Sequence, residues 1–350
     1  MNQYPNNLNA AVLFKLNQPL KIVSMEIPKL KRGQVLVKII YSSICRSQLM
    51  EQEGGRGKDK WLPHLLGHEG SGIIIATGPG AEKFKTKEKV ILTWIKNKGV
   101  ESSPIFFKYK GRRINAGKVT TFSNYSIVSE NRLTKMPRSL DFARATLFGC
   151  AIPTGAGMVL NQVRPDKNDS VIIIGFGGIG ISAYMMLKSM QIKNVIVIEK
   201  DKEKIKFAKA YGVKIIYNSD DQNLIKKINR ITNGGANYCI ESAGLTDTIE
   251  LGFALINNKK GKLYFASHPA HNEKISLSPH ELIQGKQIFG TWGGLVNPDT
   301  DIKIINRMIK GKFNLMQMFS KIYDLKDINT AINDMRRNNT LRPLIKMEHD

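Results

Sequence analysis

Apolar residues recur along this chain in two rhythms. Through residues 10 to 40 they alternate with polar ones: Val12, Phe14 and Leu16 form one run, and Val35, Val37 and Ile39 another, after the turn Lys31-Arg32-Gly33. A period of two is the mark of a strand with one face toward a core. The pattern continues through Gly72–Ala76 and Lys89–Thr93, with turn signals such as Gly78-Pro79-Gly80 between the runs. It predicts an antiparallel β-rich domain over the first 150 residues. From about residue 152 short apolar runs alternate with helical stretches instead. Val171–Ile174, Val195–Ile198, Lys214–Tyr217, Tyr238–Glu241 and Lys262–Ala266 read as strands, and 179–190, 202–211, 221–232 and 246–256 as helices. Ile288–Thr291 adds a sixth strand. Runs with no polar alternation suit strands buried on both faces, so this half reads as a doubly wound parallel sheet with its ligand at the carboxyl ends of the strands. The expected domains are 1–151 with 292–350, and 152–291.

The first junction in that second rhythm carries chemistry. Val171–Ile174 runs directly into Gly175-Phe176-Gly177-Gly178-Ile179-Gly180, then a helix, a second strand and Glu199. In a G-x-G-x-x-G turn Gly175 permits the sharp bend, Gly177 lets the backbone approach a pyrophosphate, and Gly180 lets helix and strand close up. Gly178 opens the helix, whose free N–H groups and positive dipole end face the phosphates. Glu199 lies 19 residues beyond Gly180, where a carboxylate can accept from the adenosine ribose hydroxyls. It also repels the extra phosphate of NADP, which favours NAD, although Lys200 beside it pulls the other way. The whole unit predicts a Rossmann dinucleotide-binding domain.

Composition narrows the picture. A chain of 350 residues with 42% hydrophobic and 23% charged residues is globular and long enough for two domains. No apolar run approaches the length of about 18 residues that spans a bilayer. The Asn-rich start, Met1 to Asn9, has neither the basic end nor the apolar core of a signal peptide. A cytoplasmic protein with no membrane partner is expected. The net charge of +24 raises nucleic acid as a partner, but 39 of the 53 basic residues are Lys, spread along the chain. No zinc-finger spacing, aromatic RNA-recognition motif or basic helix accompanies them. Solvated faces account for the charge, and no nucleic-acid partner is expected.

Three cysteines, at 45, 150 and 239, make no disulfide framework. Cys239 falls in an apolar strand and reads as inert. Cys45 and Cys150, with His68, are a soft donor set suited to zinc, and three protein ligands leave a fourth position for water or substrate. Taken singly, each also reads as a small buried thiol or a hydrogen-bonded imidazole, so spacing leaves both readings open.

Several stretches taken together go further. Cys45-Arg46-Ser47, Gly67-His68-Glu69-Gly70-Ser71-Gly72, Phe148-Gly149-Cys150 with Thr154-Gly155, the glycine turn, Thr232-Asn233-Gly234-Gly235 with Glu241, and Leu341-Arg342 occur in this order. In order and spacing they resemble the zinc-dependent medium-chain alcohol dehydrogenase family along nearly the whole chain. The resemblance implies an α/β protein with an N-terminal β-rich GroES-like catalytic domain and a Rossmann domain. It implies hydride transfer between NAD and a small alcohol (primary, secondary, polyol or sugar), giving an aldehyde or ketone. Cys45, His68 and Cys150 would be the ligands of a catalytic zinc, with Glu69 the carboxylate beside it. Ser47 would pass on the alcohol proton, Arg46 and Arg342 would hold the cofactor pyrophosphate, and Thr154 would lie by the nicotinamide. Relatives assemble as homodimers or homotetramers. Two other readings stand beside this one: a zinc-free NAD(P)H reductase on the same fold, and a non-catalytic chain that binds nucleotide or nucleic acid. All three ligands and Glu69 are present, which argues against the first, and the net charge is the only support for the second.

The chain departs from the family at two places. Many members carry four cysteines in a lobe that here spans Ile95 to Thr121 and contains none, so one zinc per chain and no structural zinc is expected. Instead the lobe holds Phe106, Phe107, Tyr109 and a basic cluster from Lys108 to Arg113. Met50 stands where some relatives have a proton-relaying histidine, and methionine carries no proton. Trp94 falls where relatives have an aromatic pocket wall. His64, His268, His271 and His280 read as structural or surface residues.

Overall fold

The computed structural model describes Tyr4 to His349; Met1–Gln3, part of the Asn-rich start, and Asp350 lie outside the described residues. The chain forms two units: Met1–Cys150 with Asn297–Lys303 and Asn314–Asp350, and Ala151–Val296 with Ile304–Phe313.

In the first unit ten strands precede Cys150: β1 (Asn7–Leu13), β2 (Lys21–Glu26), β3 (Gln34–Ser43), β4 (His64–Leu65), β5 (Glu69–Thr77), β6 (Lys89–Thr93), β7 (Ile105–Tyr109), β8 (Arg112–Gly117), β9 (Tyr125–Ser129) and β10 (Leu133–Lys135). Helix α1 (Arg46–Gln52) follows β3, and α2 (Phe142–Thr146) follows β10. One sheet runs β2-β1-β4-β8-β7. A second sheet contains the path β10-β6-β5-β3, with β9 also on β3. Alternation places Leu8, Ala10 and Val12 of β1 in one core and Ala11 and Leu13 in another. β3 is divided in the same way, Val35, Val37 and Ile39 against Leu36. β3, and β1 from Ala10 onward, are therefore buried on both faces.

The first run differs from its expected span. The strand begins at Asn7 and closes at Leu13; Phe14 and Leu16 lie beyond it, partly buried against separate cores. Asn7 and Asn9 look outward while Leu8 looks in, so an Asn-rich stretch hides a half-buried strand.

In the second unit β11 (Ser170–Ile174), β12 (Asn194–Ile198), β13 (Ile215–Tyr217), β14 (Tyr238–Glu241), β15 (Lys262–Phe265) and β16 (Gln287–Gly290) are all parallel, in the order β13-β12-β11-β14-β15-β16. This is the doubly wound order with its switch point between β11 and β14. The helices of the unit are α3 (Ala151–Met158), α4 (Gly178–Ser189), α5 (Lys202–Ala210), α6 (Leu224–Thr232), α7 (Thr246–Leu255) and the short α8 (Pro279–Gln284), which the pattern did not announce. The helix expected from residue 221 starts only at Leu224. The side chains of Asn218 and Asp221 accept from the N–H groups of Asp220 and Asn223, holding the intervening chain in turns.

The domain boundary also needs correction. Residues 292–296 and 304–313 belong to the second unit, so the unit division falls within α9 (Pro298–Ile309). Phe313 stacks on Tyr211 at 5.8 Å, and Asn161 donates to the Gly294 carbonyl at 3.2 Å, which ties both segments there. The first unit ends with α10 (Ile328–Arg336) and the strands β17 (Ile322–Asp324) and β18 (Leu344–Lys346), which extend the second sheet from β3.

Candidate active site

β3 and β5 pair antiparallel with Ser42 opposite Gly70, so the chain leaving β3 meets the chain entering β5. Cys45 occupies the extended position just before α1, and His68 the position just before β5. Cys150 follows a single 3-10 turn, Leu147–Gly149. The Sγ atoms of both cysteines and a ring nitrogen of His68 all lie within 4.8 Å of one another. Ligands of a tetrahedral zinc with Zn–S of about 2.3 Å stand roughly 3.8 Å apart, so the three donors fit one ion with a small closing movement. Among the described residues this is the one group of three or more such donors.

The electrostatics suit a cation. The hydrogen bond to Cys150 holds the Cys45 thiol well below its ordinary range, with Arg342 and His68 adding to the effect against burial. The same bond, together with burial, pushes the Cys150 thiol well up, so the pair gives up its first proton at Cys45. Burial pulls His68 down, but the Cys45 thiolate beside it wins and raises the imidazole.

Behind the triad Glu69 is fully buried, and burial raises its carboxyl despite Arg342. Its Oε1 accepts from Ser43 Oγ at 2.6 Å and from Arg342 Nη2. Glu69 Oε2 and Arg342 Nε are buried without a hydrogen-bond partner. Burial works against the charge on Arg342, yet the negative charges at Glu69 and Cys45 raise its guanidinium above the ordinary range. The sequence reading put Arg342 on a cofactor phosphate; in this structure its fork is buried against Glu69. Arg46 is exposed, with Nη2 donating to Asn338 Oδ1 at 2.6 Å. Ser47 is half-buried on the first turn of α1 and Met50 half-buried on its last. Trp94 is half-buried, its carbonyl accepting from Arg132 at 3.3 Å.

In the second unit the glycine turn joins β11 to α4. Gly175 is left-handed at φ 86, and a Cβ on Gly180 would stand 2.1 Å from the Gly175 carbonyl oxygen. Both positions need glycine. A Cβ on Gly177 would meet nothing within 4 Å, which leaves room above that backbone for a ligand. Gly178 opens α4. Glu199 is buried, and its carboxylate accepts from the N–H groups of Phe176 (2.8 Å), Lys200 (2.9 Å) and Asp201 (3.1 Å). It thus clamps the glycine turn to the end of β12 while one of its roughly four acceptor positions stays open. Thr154 is buried on α3.

Sequence reasoning missed two supporting residues. Ser43 orients Glu69, and Gln48 accepts from Gly67 N, fixing the turn that presents His68. Neither has a sequence signal, because both act across strand register. The lobe without cysteines is organised by Glu101, which lies 2.8 Å from Lys96, 3.7 Å from Arg132 and 3.8 Å from Lys118. Hydrogen bonds from Lys96 and Asn131 lower its carboxyl to about 2. His64 is a buried structural residue, paired with Asp59 at 2.8 Å. Cys239 is buried in β14. Among the described residues no single helix is long and apolar enough to cross a membrane.

Known proteins share these domains and this fold. The alcohol dehydrogenase GroES-like domain matches residues 31–138, and the zinc-binding dehydrogenase domain matches residues 178–309. Alcohol dehydrogenase class-2 isozyme 2 of Oryctolagus cuniculus is 27% identical, over 96% of this chain and 97% of its own. Benzyl alcohol dehydrogenase from Acinetobacter calcoaceticus superposes with a TM-score of 0.87 at 25% identity, covering 98% of this chain and 99% of that one. An alcohol dehydrogenase from Escherichia coli, solved with NADH, superposes at 0.81 with 21% identity, covering 98% and 100%. With both domain models matched and the fold shared end to end, the chain belongs to the zinc-dependent medium-chain alcohol dehydrogenase family.

Proposed function

We propose that this alcohol dehydrogenase-type oxidoreductase uses one zinc ion and NAD to interconvert a small alcohol (primary, secondary, polyol or sugar) and its aldehyde or ketone. The observation that carries the reading is the convergence of Cys45, His68 and Cys150 within 4.8 Å in front of a buried Glu69. Those three residues would hold the zinc. When bound there, zinc supplies Lewis acidity that eases deprotonation of an alcohol hydroxyl, and NAD supplies the hydride acceptor.

The remaining work falls to the chain's own side chains. Ser47 Oγ takes the hydroxyl proton and releases it as a relay, since an uncharged hydroxyl does not keep a proton. Met50 ends that relay on the protein side, so the proton continues through solvent or the cofactor ribose. Glu69 fixes the Arg342 guanidinium and, through its unpaired Oε2, keeps a negative field behind the donors. The exposed fork of Arg46 suits pyrophosphate oxygens, and Arg342, buried against Glu69, would meet them only by turning out of that pairing. Gly175, Gly177, Gly178 and Gly180 shape the phosphate turn, and Glu199 faces the ribose with its remaining acceptor capacity. Thr154 would lie by the nicotinamide. The NADH found in the Escherichia coli neighbour supports the choice of cofactor.

Metal analysis of purified protein tests the reading. One zinc per chain, absent from Cys45→Ala, together with NAD reduction by an alcohol, is expected. Protein that reduces a carbonyl with bound NADPH and no zinc would overturn it.

We further infer that the protein works as a homodimer, or a homotetramer built from such dimers, in the cytoplasm. β16 is an edge strand of the six-stranded sheet, and Ile283 (83% exposed), Phe289, Trp292 (65%) and Leu295 offer apolar surface around it. An unprotected apolar edge is a template for pairing with a second copy. Phe289→Asp should convert the assembly to monomer in light scattering. An unchanged mass would remove this interface.

A further inference from the structure

Part of the +24 charge gathers on one hairpin. β7 and β8 are joined at Lys110-Gly111, both left-handed (φ 46 and 75), as a two-residue hairpin connection requires. Ile105, Phe107, Ile114 and Ala116 are buried in a core of the first unit and anchor it. The opposite face carries Phe106, Lys108, Arg113 and Asn115. Lys108 stands directly across from Arg113, and like charges in that position are destabilising without an anion between them. The Phe106 ring lies 4.3 Å from the Arg113 guanidinium and 5.3 Å from Lys31 Nζ.

The same surface continues beyond the hairpin. Asn115 accepts from Arg113 Nε at 3.1 Å and donates to the Trp61 carbonyl at 2.7 Å. Trp61 is 58% exposed, with Lys60 Nζ 5.1 Å from its ring centre. Residues 104–119 contain no Asp or Glu. Among the described residues, no carboxylate lies within 4.0 Å of Lys31, Lys60, Lys108, Lys110, Arg112 or Arg113. Elsewhere in the same lobe Lys96 and Lys118 share Glu101, together with Arg132 beyond it.

We propose that this surface binds single-stranded nucleic acid. Lys31, Lys60, Lys108 and Arg113 take phosphates, while the exposed Trp61 ring and the stacked Phe106–Arg113 pair take bases. Cations without counter-anions, interleaved with aromatic rings, are what a sequence-tolerant strand contact needs. A lysine-rich composition alone gave no such signal, because the residues converge only through the β7–β8 register and the Asn115 bridge. The contact lies outside the proposed catalytic machinery and is independent of it.

The test is fluorescence anisotropy with a labelled 20-nucleotide uridine-rich RNA and the full-length zinc-loaded protein, over about 50–200 mM salt. With four to five phosphates engaged, log K should fall against log salt with a slope of about −3, and the double variant K108Q/R113Q should flatten it by roughly 1.4. Trp61→Leu should weaken binding by about five- to 150-fold and abolish quenching of tryptophan emission. Alcohol oxidation should be unchanged in both variants. The like-charge pair is removed in K108Q/R113Q, so its melting temperature should not fall, and lost binding will not reflect misfolding. Equal binding by wild type and variants, no binding at the lowest salt, or a preference for duplex DNA or phosphatidylserine vesicles would overturn the proposal.

Discussion

Replacing Arg342 by Met is the most informative single change. Methionine keeps the length of the arginine stem but removes the cation that faces Glu69. Glu69 is fully buried and would retain one partner, the Ser43 hydroxyl at 2.6 Å, with Oε2 already unpaired. A buried charge left without its counter-ion costs about 3–5 kcal/mol, or about two to four powers of ten in the folding constant. The double variant Glu69→Gln/Arg342→Met removes both charges, and most of that loss should return. Urea unfolding of the metal-free proteins, which takes a metal cation out of the comparison, gives both numbers and the coupling between the residues. A single-variant cost below about 1 kcal/mol, or a double variant no more stable than the single, would refute the reasoning. Either result would mean that water or backbone, rather than Arg342, carries the Glu69 charge.

Two further outcomes follow from the geometry of the turn and the lobe. Gly180→Ala sets a Cβ 2.1 Å from the Gly175 carbonyl oxygen, which is backbone and unable to swing aside; it should cost about 1–3 kcal/mol by calorimetry and weaken NADH binding in fluorescence titration. Glu101→Gln tests the lobe. Because the folded carboxyl sits near 2 while an unfolded one titrates near its ordinary value of 4.5, the stabilisation is present above pH 4.5 and lost as pH falls toward 2. The side chain is 36% exposed, so solvent screening holds the effect to no more than about 1 kcal/mol. Melting curves of wild type and variant should therefore differ at pH 7, converge on acidification, and converge again in 1 M salt; a gap that widened in acid would contradict the assignment.

What could be read from the sequence depended on whether a signal was local. The parallel sheet was legible because strands buried on both faces leave continuous apolar runs, and the glycine turn marks where the first one ends. The boundary near residue 300 was not legible, since the Tyr211–Phe313 stack joins residues a hundred positions apart. β1 was misplaced because Asn7 and Asn9 are outward-facing strand residues that look like a polar terminus. Spacing left Cys45, His68 and Cys150 open and the family resemblance implied them as a ligand set; the fold brings their donor atoms within 4.8 Å of one another. Ser43 and Gln48, which hold their surroundings in place, depend on register that no spacing rule records. Glu199 was read as a ribose acceptor, and its three backbone N–H partners became visible only with β11 and β12 side by side.

The Glu101 cluster has a consequence for the life of the protein in a changing cell. A lobe fastened by a carboxylate among cations needs no metal to close and contains no thiol to oxidise. Metal loss or oxidation at the proposed Cys45–His68–Cys150 site would leave this part of the surface assembled, and so would open no new segment there to proteolysis.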